Sequence, residues 1–196
     1  MILIAGDSFT AEDNHPKWHD SLINPKHKRI NLAVNGAGNI YIGESVRRLL
    51  TSKVRACLIM WSVMDRLDVP NNENKSPIAT EFGGKIWNHY GDMTGGRGKA
   101  DWKRIGYDKV VDMNIESITS THRELDKKDI PYTYSFINND DLIPTHFKAK
   151  AIQPFLGNYA QEQGMLKEDN FHPNNDCHQQ WSNMIKPQIT FMDVIS

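Results

Sequence analysis

Met1-Ile2-Leu3-Ile4-Ala5-Gly6-Asp7-Ser8 is the stretch that decides the fold. A short apolar run that halts at Gly-Asp-Ser reads as a buried β-strand ending in a turn. The turn delivers a serine hydroxyl to the rim of a sheet, which is where an open α/β sheet keeps its ligand site. The next segment, Arg29-Ile30-Asn31-Leu32-Ala33-Val34, alternates and then runs apolar, as a second buried strand would, and ends in Asn35-Gly36-Ala37-Gly38-Asn39. Glycines between a strand and a helix let backbone N–H groups approach an anion or a developing oxyanion, and a plain strand-to-helix turn accounts for them equally well. Ile42, Val46, Leu49 and Leu50 fall at helical spacing and predict a helix over 41–52. Residues 54–61 form the most apolar run in the chain, the expected central strand, buried on both faces.

Beyond Ser62-Val63-Met64-Asp65-Arg66 the composition changes. Residues 67–103 are rich in Asn, Gly, Pro and charge, with Trp87, His89, Tyr90 and Trp102 interleaved. A stretch this long with little periodicity reads as an insertion or lid rather than a second domain. Its aromatic rings either line a pocket or pin the insertion to the body. A long helix is expected over 104–128, followed by a strand over 132–137 that ends at Asn138-Asn139-Asp140-Asp141. Residues 142–168 are polar and interrupted by proline, with a short helix expected near Tyr159 and room for a fifth strand between 150 and 168. Asn175 or Asp176 is expected to cap a last helix carrying Trp181, Met184 and Ile185. Strands alternating with helices make a doubly wound α/β domain, mostly parallel, of four to five strands.

The bulk properties narrow the function. The 196 residues suit a single domain. A formal net charge of −1 supplies no field for nucleic acid or an anionic membrane. The basic cluster Lys26-His27-Lys28-Arg29 reads as a solvated strand entrance. Cys57 and Cys177 show neither a disulfide framework nor zinc spacing, and Cys57 reads as a small core residue. His15 and His19 are four apart, but Pro16 between them and the lack of a third ligand nearby argue against a metal. With no signal-like or membrane-spanning segment, the expected setting is cytoplasmic or phage-associated.

A serine hydroxyl becomes a nucleophile only when a base takes its proton, and the base works best when a carboxylate orients it. Asp169-Asn170-Phe171-His172-Pro173 offers such a pair near the other end of the chain. Taken in order, Gly6-Asp7-Ser8-Phe9, Asn35-Gly36-Ala37-Gly38 and Asp169-x-x-His172-Pro173-Asn174, with Trp181 in the following helix, resemble the SGNH, or GDSL-type, hydrolase superfamily. The resemblance implies a flavodoxin-like sheet and hydrolysis of acyl or acetyl esters without metal or organic cofactor. It implies Ser8 as nucleophile, His172 as general base and later acid, and Asp169 as the residue orienting His172. The oxyanion hole would be the N–H groups of Ser8 and Gly36.

The third block departs from the pattern. Where the family presents Gly-x-Asn-Asp, this chain has Ser62-Val63-Met64-Asp65, and a thioether cannot donate a hydrogen bond. Losing one such donor costs about 3 to 4 kcal/mol of transition-state stabilisation. Ser62, Asn35 or Asn39 could substitute, and Asp65 and Arg66 either belong to this branch's own arrangement or form a surface ion pair. Asp7, Asn35, Asn39, Ser62, Asp65, Trp87 and Tyr90 are the candidates for contact with a small-molecule or glycan ester. The alternative keeps the fold without turnover, as a glycan-binding or phage structural module. A flavodoxin-like phosphate binder built on 35–39 ranks below both, because it leaves Asp169 and His172 unused.

Overall fold

Ile2–Ala5 (β1) is buried at every position and has neighbours on both sides. Arg29–Asn31 (β2) pairs on one side and Ala56–Trp61 (β3) on the other, with Leu3 opposite Ile30 and Cys57. Tyr132–Phe136 (β7) lies beyond β3, and all three pairings are parallel. The computed structural model describes residues 1–12, 15–70, 79–82, 85–90, 103–168 and 171–196.

The period-2 geometry of a strand sends alternate side chains to opposite faces. One face collects Leu3, Ala5, Cys57, Ile59 and Trp61 against Ile42 and Val46 of Asn39–Leu49 (α1) and Ile118 and Leu125 of Tyr107–Lys127 (α2). The other collects Ile2, Ile4, Ala56, Leu58 and Met60 against Leu156 and Ala160 of Leu156–Glu162 (α4) and Trp181 and Ile185 of Asn175–Ile185 (α5). Thr145–Lys148 (α3) and Met192–Ile195 (α6) are single turns. The result is a flavodoxin-like three-layer α/β fold with a parallel four-stranded sheet. Burial pushes the Cys57 thiol up to about 12, as suits a core residue. No helix among the described residues is long and apolar enough to cross a membrane.

Several expectations change in detail. β2 is an edge strand, exposed or half-exposed along its length rather than buried. No fifth strand joins the sheet over 150–168; α4 and an isolated bridge between Leu166 and Pro173 occupy that stretch. Asn174, one residue earlier than expected, caps α5 by accepting the Cys177 N–H at 2.9 Å. Met184 on that helix is exposed. The stretch after Arg66 holds a second, antiparallel sheet of Leu67–Pro70 (β4), Ala79–Phe82 (β5) and Lys85–Tyr90 (β6), in the order β4-β6-β5.

This small sheet is anchored to α1 by a buried carboxylate. Asp68 of β4 accepts the N–H groups of Gly38 at 2.8 Å and Tyr41 at 2.7 Å, capping a helix whose own N-cap residue has no side chain to do so. The Asp68 carboxylate also meets Nδ1 of the equally buried His89 on β6 at 2.8 Å.

Candidate active site

The Gly-Asp-Ser turn is tight. A Cβ on Gly6 would lie 2.5 Å from Thr10 Oγ1, so the chain folds back on itself only because position 6 has no side chain. The N–H groups of Thr10 and Ala11 both bond to the Asp7 carbonyl, and the Phe9 N–H bonds to Asp7 Oδ1 at 3.0 Å. These bonds leave Ser8 half-buried at the tip, beyond the end of β1.

His172 arrives from the far end of the chain. Its carbonyl accepts the Lys167 N–H at 2.7 Å, and the Asn174 N–H bonds to the Met165 carbonyl at 2.8 Å, so residues 165–167 clamp the backbone on both sides of it. The imidazole lies 5.6 Å from the Phe9 ring and 5.1 Å from that of Phe171. Its Nε2 is 3.0 Å from Ser8 Oγ, a hydrogen bond between residues 164 apart in sequence. Asp169 lies outside the described residues.

Gly36 has φ of 79°, a left-handed conformation that favours glycine. Among the described residues, the N–H groups of Ser8 and Gly36 have no hydrogen-bond partner. The Val34 N–H bonds to the Gly6 carbonyl at 3.2 Å, which ties the glycine turn to the serine turn.

The residues expected to touch substrate divide into two groups. Asn35 is exposed and Asp65 half-buried. Burial first, then the carboxylates of Asp65, Asp140 and Asp108, raises the phenol of the exposed Tyr107, so Asp65 belongs to an acidic, aromatic surface. Asp7, Asn39, Ser62 and Trp87 are buried and committed to the protein itself. Asn39 accepts the Ser62 N–H at 2.7 Å and directs its amide N–H groups at the carbonyls of Ser62 and Val63, so it holds the third block rather than a ligand. Trp87 packs edge-on against Tyr41 with ring centroids 5.8 Å apart, so of the two options for the insertion's rings this one pins it to the body. Tyr90 ends β6 opposite Leu67, and its side chain, like Trp102, lies outside the described residues.

Met64 is fully buried, with its sulfur 3.6 Å from the Asn39 amide nitrogen. Of the two options for Arg66, the structure shows a pairing inside the fold: Nη1 lies 3.0 Å from Oδ2 of the buried Asp7. His15 and His19 diverge: the first meets Asn175, the second the Thr10 carbonyl. Sequence reasoning missed one exposed residue at the site. Phe171 is 49% exposed and stands edge-on to Phe9 at 5.8 Å; its place immediately before His172 was the available signal.

No family model matches this chain, and no curated protein matches it. Among solved structures it is similar to one titled "Crystal Structure of TesA", at 13% identity over 97% of this chain and 98% of that one, with a TM-score of 0.54. An identity this low carries the likeness of fold alone, and that likeness spans nearly the whole of both chains.

Proposed function

We propose that this protein is a serine-dependent hydrolase of carboxylic esters, of the SGNH type, working through an acyl-enzyme. The observation that carries the reading is the 3.0 Å contact between Ser8 Oγ and His172 Nε2. Hydrogen-bond reach between a hydroxyl at a strand end and an imidazole is what a general base requires. His172 takes the Ser8 proton as Oγ attacks the ester carbonyl, and the oxyanion that forms is received by the N–H groups of Ser8 and Gly36. His172 then returns the proton to the departing alcohol, and water hydrolyses the acyl-serine by the same route. Asp169 orients the imidazole through its other nitrogen, a role that rests on the resemblance of Asp169-x-x-His172. The fold likeness to TesA agrees with this reading at the level of architecture.

A fluorophosphonate reports directly on an activated serine. Intact-mass measurement should find one adduct on the wild type, mapped to Ser8, and none on Ser8→Ala. His172→Ala should slow its formation by about four orders of magnitude. A folded wild type that takes no adduct would overturn the reading. The second reading, a glycan-binding or phage structural module of the same fold, draws on Met64, a buried thioether that cannot donate where the resemblance implies a side-chain donor. That reading predicts no adduct together with measurable binding to a glycan array.

A further inference from the structure

One guanidinium nitrogen joins the three segments that surround Ser8. Arg66 Nη1 lies 3.0 Å from Asp7 Oδ2, 3.1 Å from the Ala37 carbonyl and 3.0 Å from Ser62 Oγ. Asp7 precedes the nucleophile, Ala37 follows the oxyanion glycine, and Ser62 opens the third block. The group is nearly enclosed, with the Arg66 side chain 13% exposed and that of Asp7 fully buried. Ser62 Oγ completes the triangle by donating to Asp7 Oδ2 at 3.1 Å, while Asp7 Oδ1 holds the Phe9 N–H. From the other side, Asn114 of α2 donates to the Arg66 carbonyl at 3.0 Å.

The placement has a chemical consequence. The two N–H groups assigned to the oxyanion sit on separate turns, 6–11 and 34–38. Arg66 touches both, one through Asp7 and the other through the Ala37 carbonyl. We propose that Arg66 is a positioning residue that sets the distance and orientation between the Ser8 and Gly36 N–H groups, an organising role needed because Met64 is turned into the core. The inference rests on the hydrolase reading. A guanidinium suits the task, since its planar, charged end fixes the directions in which the Nη1 N–H groups are shared among the three acceptors, where a freely rotating ammonium would hold them loosely.

Displacing an oxyanion donor by about an ångström costs on the order of a hundredfold in rate and little in ground-state affinity. The test compares wild type, Arg66→Lys and Arg66→Met, using p-nitrophenyl acetate as substrate and the rate of fluorophosphonate addition to Ser8. Near-ultraviolet circular dichroism checks the fold of each. The expected result is a kcat lowered about a hundredfold in Arg66→Met with KM within about threefold, a smaller loss in Arg66→Lys, and partial recovery of Arg66→Met in millimolar guanidinium. Should Arg66→Met fail to fold, Arg66→Lys, which keeps a charge opposite Asp7, carries the test through its kcat-against-KM split. Folded variants that react at the wild-type rate would overturn the positioning role and leave the hydrolase reading standing. A wild type that neither reacts nor turns over would overturn the hydrolase reading first.

Discussion

Met64 shows how a residue beside the candidate site in sequence can belong to the core. It is fully enclosed, and its flexible thioether fills space beside the Asn39 amide. Exchange for another apolar residue of similar volume should therefore disturb packing and spare the chemistry. Met64→Leu is expected to cost less than about 1.5 kcal/mol in urea denaturation. Its fluorophosphonate labelling rate should stay within about twofold of wild type, and a hundredfold drop would return the side chain to the active site. That Ser8 and His172 come together could be read from sequence because each sits in a short motif whose local turn presents it. For Arg66 the sequence leaves two options open, because its partner Asp7 lies 59 residues away and is selected only when two strand ends come together. Asn39 and Ser62, candidates for substrate contact in sequence, bond within the protein for a related reason. Polar residues beside a site look the same in sequence whether they face a ligand or one another.

Among the elements, α1 and the small antiparallel sheet depend on each other through Asp68. The carboxylate supplies the two acceptors that the first turn of α1 lacks, and the same group anchors His89. Removing it strands two helix N–H groups and a buried imidazole, whereas removing His89 leaves the cap in place. Asp68→Ala should thus lose at least about 3 kcal/mol of unfolding free energy, and His89→Ala clearly less. Hydrogen exchange at Gly38 and Tyr41 is expected to accelerate in the first variant and to remain protected in the second. Equal losses would mean that the capping role is misassigned. The parallel strands were legible because they are short apolar runs closed by turn residues. The strands of the insertion were not, since they are short, mix polar with apolar residues without clear alternation and are held by contacts with α1 that no local pattern announces. The fifth strand was expected only to fill a gap, and the sheet ends at β7 instead.

At the scale of the molecule, parallel strands all finish at the same edge of the sheet, which is why residues 8, 36, 62 and 66 gather there from three loops. The helical layers that cover the sheet also set its response to acid. His122 of α2 lies between Trp61 of β3 and Tyr134 of β7, with its ring centroid 4.4 Å from that of Tyr134, and its Nε2 accepts the Trp61 indole N–H at 3.4 Å. Burial, reinforced by Lys150 and His146 and opposed by Asp126, lowers its pKa from 6.5 to about 4. Between these values the unfolded chain binds a proton that the folded chain refuses. The stabilisation from keeping this ring neutral is complete above about pH 6.5 and is lost as the pH falls toward 4. The loss should amount to about 2 kcal/mol between about pH 7.5 and about pH 5. His122→Gln keeps an acceptor for the indole and cannot be protonated, so its stability should fall by about 2 kcal/mol less than that of wild type over the same interval. Urea denaturation of both proteins at the two pH values measures the difference, because titrating groups that do not interact with His122 contribute equally to each. Parallel pH profiles would mean that His122 accepts its proton inside the folded core, and the acid sensitivity of the fold would then have to originate elsewhere.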